Sequence, residues 1–255
     1  MREAAIISPG VWCSRLRLVL AGCALLAVAI RVEAAEAMRR IAVDIGHTLE
    51  VPGATSSRGV PEFNFNHSLG VSIDQAVRAR GRPSGLINAD GKIPSLTARS
   101  RAADGAALLV SVHHDSVQPH YLSTWEFDGA TRSYSDRFSG FSLFVSRKNP
   151  QLAASLRCAS AMGASLRAEG FVPSLYHAEP IAGESKPFAD RANGVHYFDN
   201  LVVLKAASVP AVLLEAGVIV NRDEELLLGD ASRRDRMARA LARGIESCAG
   251  HRVGQ

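Results

Sequence analysis

Apolar and polar positions along this chain change period several times, and each change marks an element. Residues 40–45 form a short β-branched run ending in Asp44, Gly46 and His47, which predicts a buried strand that delivers polar groups at its carboxyl end. A loop rich in Gly, Ser and Pro follows over 51–61. Across 62–80 the apolar residues Phe65, Leu69, Ile73, Ala76 and Val77 recur at spacings of three and four, predicting an amphipathic helix that opens at Glu62 and stops at Gly81. A turn around Pro83-Ser84-Gly85 leads to a second short strand, and 96–104 reads as a helix. The apolar strand expected over 107–112 runs directly into His113, His114 and Asp115.

Residues 117–139 are aromatic and polar without a period, which predicts a long loop or an inserted lid. Beyond them come a strand at 141–145, a helix at 150–169 and a second long loop at 179–200. Short strands are expected at 201–204 and 211–214, the latter ending in Glu215-Ala216-Gly217, and an amphipathic helix at 232–248. Strands alternating with helices predict an α/β fold: a twisted, mostly parallel or mixed sheet of about six strands with helices on both faces. Ligands gather beyond the carboxyl ends of the strands in such folds. No linker, repeat or low-complexity tract divides residues 38–255, so a single catalytic domain is expected there.

The first stretch stands apart. Arg15 and Arg17 precede an apolar run over 18–30, and Val32-Glu33-Ala34 and Ala35-Glu36-Ala37 supply small residues for cleavage, so 1–37 reads as a secretory signal. Thirteen apolar residues are few for a membrane span. Leu20-Ala21-Gly22-Cys23 admits an alternative, a lipid anchor at Cys23, although the apolar run continues past that cysteine. The expected location is therefore the periplasm or cell envelope. The whole chain carries a net charge of +4, and losing the four Arg and three Glu of residues 1–37 leaves +3. That balance suits an anionic envelope polymer and argues against nucleic acid as a partner. Cys158 and Cys248 follow the leader; in an oxidising compartment they can pair, or each can serve as a small buried apolar residue. No Cys-x-x-Cys motif or Cys/His cluster occurs, so a metal would be held by His and carboxylate.

Three distant segments end apolar strands, or open the next helix, with imidazole or carboxylate: His47 with Glu62, then His113, then Glu215. Taken singly, His47 reads equally as a loop histidine, and a Glu at a helix start is favoured by the helix dipole alone. Taken together, two imidazoles and one carboxylate give a zinc ion three ligands and leave a fourth position for water, as hydrolysis requires. His113 and His114 are neighbours in a strand, so their side chains point to opposite sides and one of them faces a given ion. Glu215 follows Val212-Leu213-Leu214, where an unpartnered carboxylate is costly to bury, and it is the expected proton carrier.

Val43-Asp44-Ile45-Gly46-His47, Glu62 with Asn66, Ser111-Val112-His113-His114-Asp115, and Leu213-Leu214-Glu215-Ala216-Gly217 with Asn221 together resemble the zinc-dependent N-acetylmuramoyl-L-alanine amidases of the amidase-3 family. The resemblance spans about residues 40–247. It implies one zinc ion bound by His47, Glu62 and His113, and Glu215 as the catalytic carboxylate; Asn66, His114, Asp115 and Arg99 are further expected at the substrate. The implied reaction cleaves the amide joining N-acetylmuramic acid to L-alanine in peptidoglycan. The chain is expected to act as a monomer. In some relatives a protein activator withdraws a covering insertion, a role open to 117–139 or 179–200. Thr48 stands where the family usually has a second glycine, and His114 where it has a small residue. The rival readings are a zinc carboxypeptidase or endopeptidase acting on stem peptides, and a non-catalytic wall-binding relative.

Overall fold

The computed structural model describes residues 39–249, so the expected leader at 1–37 and Cys23 lie outside the described residues. In chain order the elements are β1 Ile41–Ile45, α1 Glu62–Ala79, β2 Ser84–Ile87, α2 Leu96–Ala102, β3 Leu108–Asp115, β4 Ser123–Phe127, β5 Ala130–Tyr134 and β6 Ser142–Val145. They continue with α3 Leu152–Ala168, β7 Phe188–Asp190, β8 Val195–Tyr197, α4 Val202–Lys205, β9 Ala211–Val218, α5 Arg222–Gly229 and α6 Ala231–Cys248. The main sheet has the order β2-β1-β3-β9-β6-β8-β7, seven strands where about six were expected. β2, β1, β3 and β9 are parallel. β6 runs antiparallel to β9, β8 runs parallel to β6, and β7 closes the edge antiparallel to β8, so the sheet is mixed.

The two-residue period of the strands sorts the core into two layers. Val43, Val110, Val112, Val212 and Leu214 point to one face, where Leu69, Ile73 and Val77 of α1, Met162 of α3 and Leu241 of α6 cover them. Ala42, Leu109, Ala211 and Leu213 point to the other, under Val203 and Leu204 of α4. Each fully buried aliphatic side chain contributes about 1.5–3 kcal/mol, so these stripes fix how each helix is rotated. The α1 stripe continues toward its N-terminus through the buried Asn66 and Glu62. The helical period that packs α1 on the sheet thus also turns Glu62 inward, beside the carboxyl ends of β1 and β3.

Three local expectations change. Residues 201–204 begin the short helix α4 rather than a strand, because a four-residue apolar run satisfies either period and burial decides between them. The 117–139 segment holds a hairpin, β4–β5, whose tip is Asp128-Gly129 with positive φ at both residues, the two-residue turn that matches strand twist. The 179–200 segment contains the edge strands β7 and β8. α5, which no periodicity announced, starts where Asn221 Oδ1 accepts the backbone N–H of Asp223 and Glu224. Cys158 and Cys248 are joined by a disulfide that ties α3 to α6.

Candidate active site

β1 ends at Ile45, and the chain turns out of the sheet through Gly46 and His47. His47 adopts φ 66°, a left-handed conformation costly for a residue with a Cβ. Asn88 holds it there, its Nδ2 donating to the carbonyls of Ile45 and His47 at 2.8 and 2.6 Å. Gly46 carries no side chain because a Cβ would lie 2.6 Å from the His113 ring. Gly53, at φ 82°, fits beside His47 for the same reason, since a Cβ would lie 2.6 Å from that ring.

Glu62 opens α1 between the two imidazoles. Its Oε2 lies 3.0 Å from His47 Nε2, and its Oε1 lies 3.1 Å from His113 Nδ1. One ligand atom from each of the three residues falls within 4.8 Å of the others. Glu62 also accepts the backbone N–H of Ala54 at 3.1 Å and of His114 at 3.2 Å, and the Asn66 amide at 3.0 Å. Burial pushes its carboxyl up, but the hydrogen bonds and charges of His113 and His47 outweigh burial and hold it well below the usual carboxylate range.

Glu215 enters from β9. It is the registered partner of His113 across the β3–β9 pair, so both side chains leave the same face of the sheet. Its Oε2 is buried with no hydrogen-bond partner among the described residues. Burial, together with the nearby carboxylates Asp115 and Glu62, holds its carboxyl well above the usual range. A cleft of about 350 Å³ opens against His47 and His113, with an apolar wall that includes Val51, Leu96, Val202 and Leu213. No residue of 117–139 or 179–200, the segments expected to serve as lids, lines it.

The other four expected residues are placed differently from a substrate-contacting set. Asn66 and His114 are buried on the α1 side of the sheet and meet each other, His114 Nδ1 to Asn66 Oδ1 at 2.8 Å. Burial pushes the His114 imidazole down to about 3, so this ring is neutral. Arg99 lies at the edge of the cleft but is 1% exposed, and its Nε and Nη2 donate to Asp44 Oδ1 and Oδ2 at 2.7 and 2.6 Å. Ser111 Oγ donates to the same carboxylate at 2.7 Å, so Asp44 ties β1, β3 and α2 together beneath the site. Asp115 Oδ2 lies 2.8 Å from His177 Nε2, whose Nδ1 lies 2.9 Å from Glu184 Oε2. Burial alone would lower the His177 imidazole, but Asp115 and Glu184 prevail and raise it to about 9. Asn66, His114 and Arg99 thus pair within the protein, and Arg99 also lines the cleft.

Sequence reasoning passed over Asn88, Gly53 and His177. Asn88 and Gly53 act through backbone conformation, and the available signal was their place in turn-rich segments. Sequence reasoning also passed over the latch on the loop before Glu62: Ser56 Oγ donates to Glu225 Oε1 at 2.6 Å, and Arg58 Nη1 to Glu225 Oε2 at 2.9 Å.

Two imidazoles and a carboxylate converging beside an open cleft, with a further buried carboxylate facing them, make a donor set suited to a zinc ion that keeps an exchangeable position. The family model for N-acetylmuramoyl-L-alanine amidases, Amidase_3, matches residues 41–247. The amidase AmiA of Escherichia coli is 52% identical over 46 residues, 18% of this chain and 16% of that protein. The matched stretch thus spans about a sixth of that relative. Among solved structures, Ami1 from Mycobacterium smegmatis superposes with a TM-score of 0.65 at 20% identity, covering 83% of this chain and 97% of that one. The catalytic domain of CwlV from Paenibacillus polymyxa gives 0.62 at 24%, covering 82% and 97%. These likenesses show a shared fold, and the match over 41–247 shows that the chain belongs to the Amidase_3 family of N-acetylmuramoyl-L-alanine amidases.

Proposed function

We propose that this chain is an exported hydrolase of the cell envelope that cleaves the amide between the lactyl group of N-acetylmuramic acid and the L-alanine of the peptidoglycan stem peptide. One observation carries the reading: His47, Glu62 and His113 meet within 4.8 Å, and Glu215 faces them from the neighbouring strand with an unpartnered carboxylate oxygen. His47, Glu62 and His113 would hold one zinc ion, which when bound supplies Lewis acidity toward a carbonyl oxygen and toward water. Glu215 takes up a proton and returns it to the departing amine of L-alanine. Burial, with the charges of Asp115 and Glu62 beside it, raises its affinity for protons. Asn88 fixes the backbone that presents His47, and the Arg99–Asp44–Ser111 cluster keeps β1 and β3 in register beneath the imidazoles. The apolar wall of the cleft offers methyl-sized surface to the lactyl and alanine groups.

The test joins metal analysis of the purified protein to mass spectrometry of digested sacculi. The expected result is one zinc per chain and release of intact stem peptides with a free L-alanine amino group. Cuts inside the stem peptide would instead identify a zinc carboxypeptidase or endopeptidase. Binding to sacculi without any product would identify a wall-binding relative.

A further inference from the structure

The carboxyl end of β9 serves both sides of the sheet. Glu215 is the cross-strand partner of His113, whereas Ala216, the next residue, lines a second cavity of about 350 Å³. Phe141, Phe171 and Met237 give that cavity an apolar lining, and Arg233 of α6 shares its boundary with Asp223 and Glu224 of α5.

The Arg233 guanidinium makes no side-chain hydrogen bond within the described residues although its side chain is only 17% exposed. The carboxylate oxygen nearest to it, Glu224 Oε1, is 3.8 Å away and already accepts the Gly140 backbone N–H at 3.0 Å. Arg233 instead stacks over the Phe171 ring at 5.1 Å, and Arg236 lies over the same ring at 5.3 Å. A guanidinium offers five N–H donors in a planar fork, and the Arg233 fork is free to take an acceptor from a ligand in the cavity. A carboxylate meets that fork two bonds at a time. The acidic groups of Asp223 and Glu224 on the same boundary oppose a dianion such as phosphate more strongly than a single negative charge.

We propose that this cavity binds the free carboxylate end of a peptide, with Arg233 clamping the carboxylate, Arg236 adding attraction from the rim, and Phe141, Phe171 and Met237 receiving a small apolar side chain. The site requires neither a metal nor Glu215, so it stands apart from the proposed hydrolysis.

Titration of the full chain with acetyl-alanyl-alanine, followed by NMR, tests it. The free acid should bind saturably and move the signals of Phe171 and Ala216, whereas its C-terminal amide and inorganic phosphate should each bind at least tenfold more weakly. Arg233→Gln should weaken the free acid at least tenfold while leaving zinc content unchanged. Equal binding of acid and amide in the wild type overturns the proposal without reference to any variant. Equal binding of phosphate reduces the site to an adventitious anion, and undiminished binding by a folded Arg233→Gln removes the clamp. None of these outcomes touches the amidase reading, whose failure would appear in metal content and digestion products.

Discussion

At the scale of single residues, the molecule shifts the proton affinities of two neighbouring carboxylates in opposite directions. Glu62 is held ionised by two imidazoles, and Glu215 is pushed toward its protonated form by burial and by the charges of Asp115 and Glu62. If Glu215 carries the proton, Glu215→Gln should keep its zinc and lose about 10²–10⁴-fold in turnover on muramyl-peptide. Wild-type turnover by that variant would remove the residue from the mechanism. His177 supplies a pH prediction. Its imidazole is raised to about 9 by Asp115 and Glu184, against about 6.5 in an unfolded chain, so its contribution to stability is full below about pH 6.5 and is lost as pH climbs through about 9. Urea denaturation should therefore show His177→Gln less stable than wild type by ~2–3 kcal/mol at pH 6, with the gap closing by pH 9.5. A gap that does not change with pH would mean that the ring is held neutral. The convergence of His47, Glu62 and His113 was legible because each stands where an apolar period ends, and such junctions collect at the same edge of an α/β sheet. Asn88, Gly53 and Asp44 were not, because they work by clamping a backbone, by leaving room for a ring, and by pairing with a distant arginine.

Among the elements, legibility followed length. α1, α3 and α6 span four or more turns, enough for the helical period to show, and β1, β3 and β9 carry dense apolar runs. α4 is a single turn, and its sequence could not distinguish it from a strand. The β4–β5 hairpin was hidden for another reason. Its half-buried face mixes Trp125, Phe127 and Tyr134 with Arg132, and Trp125 and Tyr134 pack against the guanidinium of Arg222, so its apolar alternation is short and incomplete. Asp128-Gly129 was nevertheless a usable turn signal. The loop that leads into α1 depends on α5, through Ser56, Ser57 and Arg58 on Glu225. Glu225→Ala should strip three donors of one buried acceptor and cost ~2–4 kcal/mol in denaturation. Zinc affinity should fall with it, because the same loop carries Gly53 and delivers Glu62. Unaltered stability would show that the latch is idle.

For the whole molecule, the organising fact is that three helices on one face anchor the sheet while the opposite face, at the strands' carboxyl ends, is left to chemistry. The Cys158–Cys248 disulfide belongs to the anchoring side and closes a 90-residue span. Denaturation with and without dithiothreitol should show a loss of ~2–4 kcal/mol on reduction, matched by Cys158→Ser. No difference would mean that packing alone holds α3 to α6. The sequence left this pairing undecided because periodicity places both cysteines on inward helix faces without revealing that the two faces meet. The bond also imposes a schedule on biogenesis. One of its sulfurs sits at the end of the last described helix, so the staple cannot close until nearly all of the described chain has been synthesised and has entered an oxidising space. A molecule retained among cytosolic thiols would keep a looser scaffold, and the proposed export would be the step that completes it.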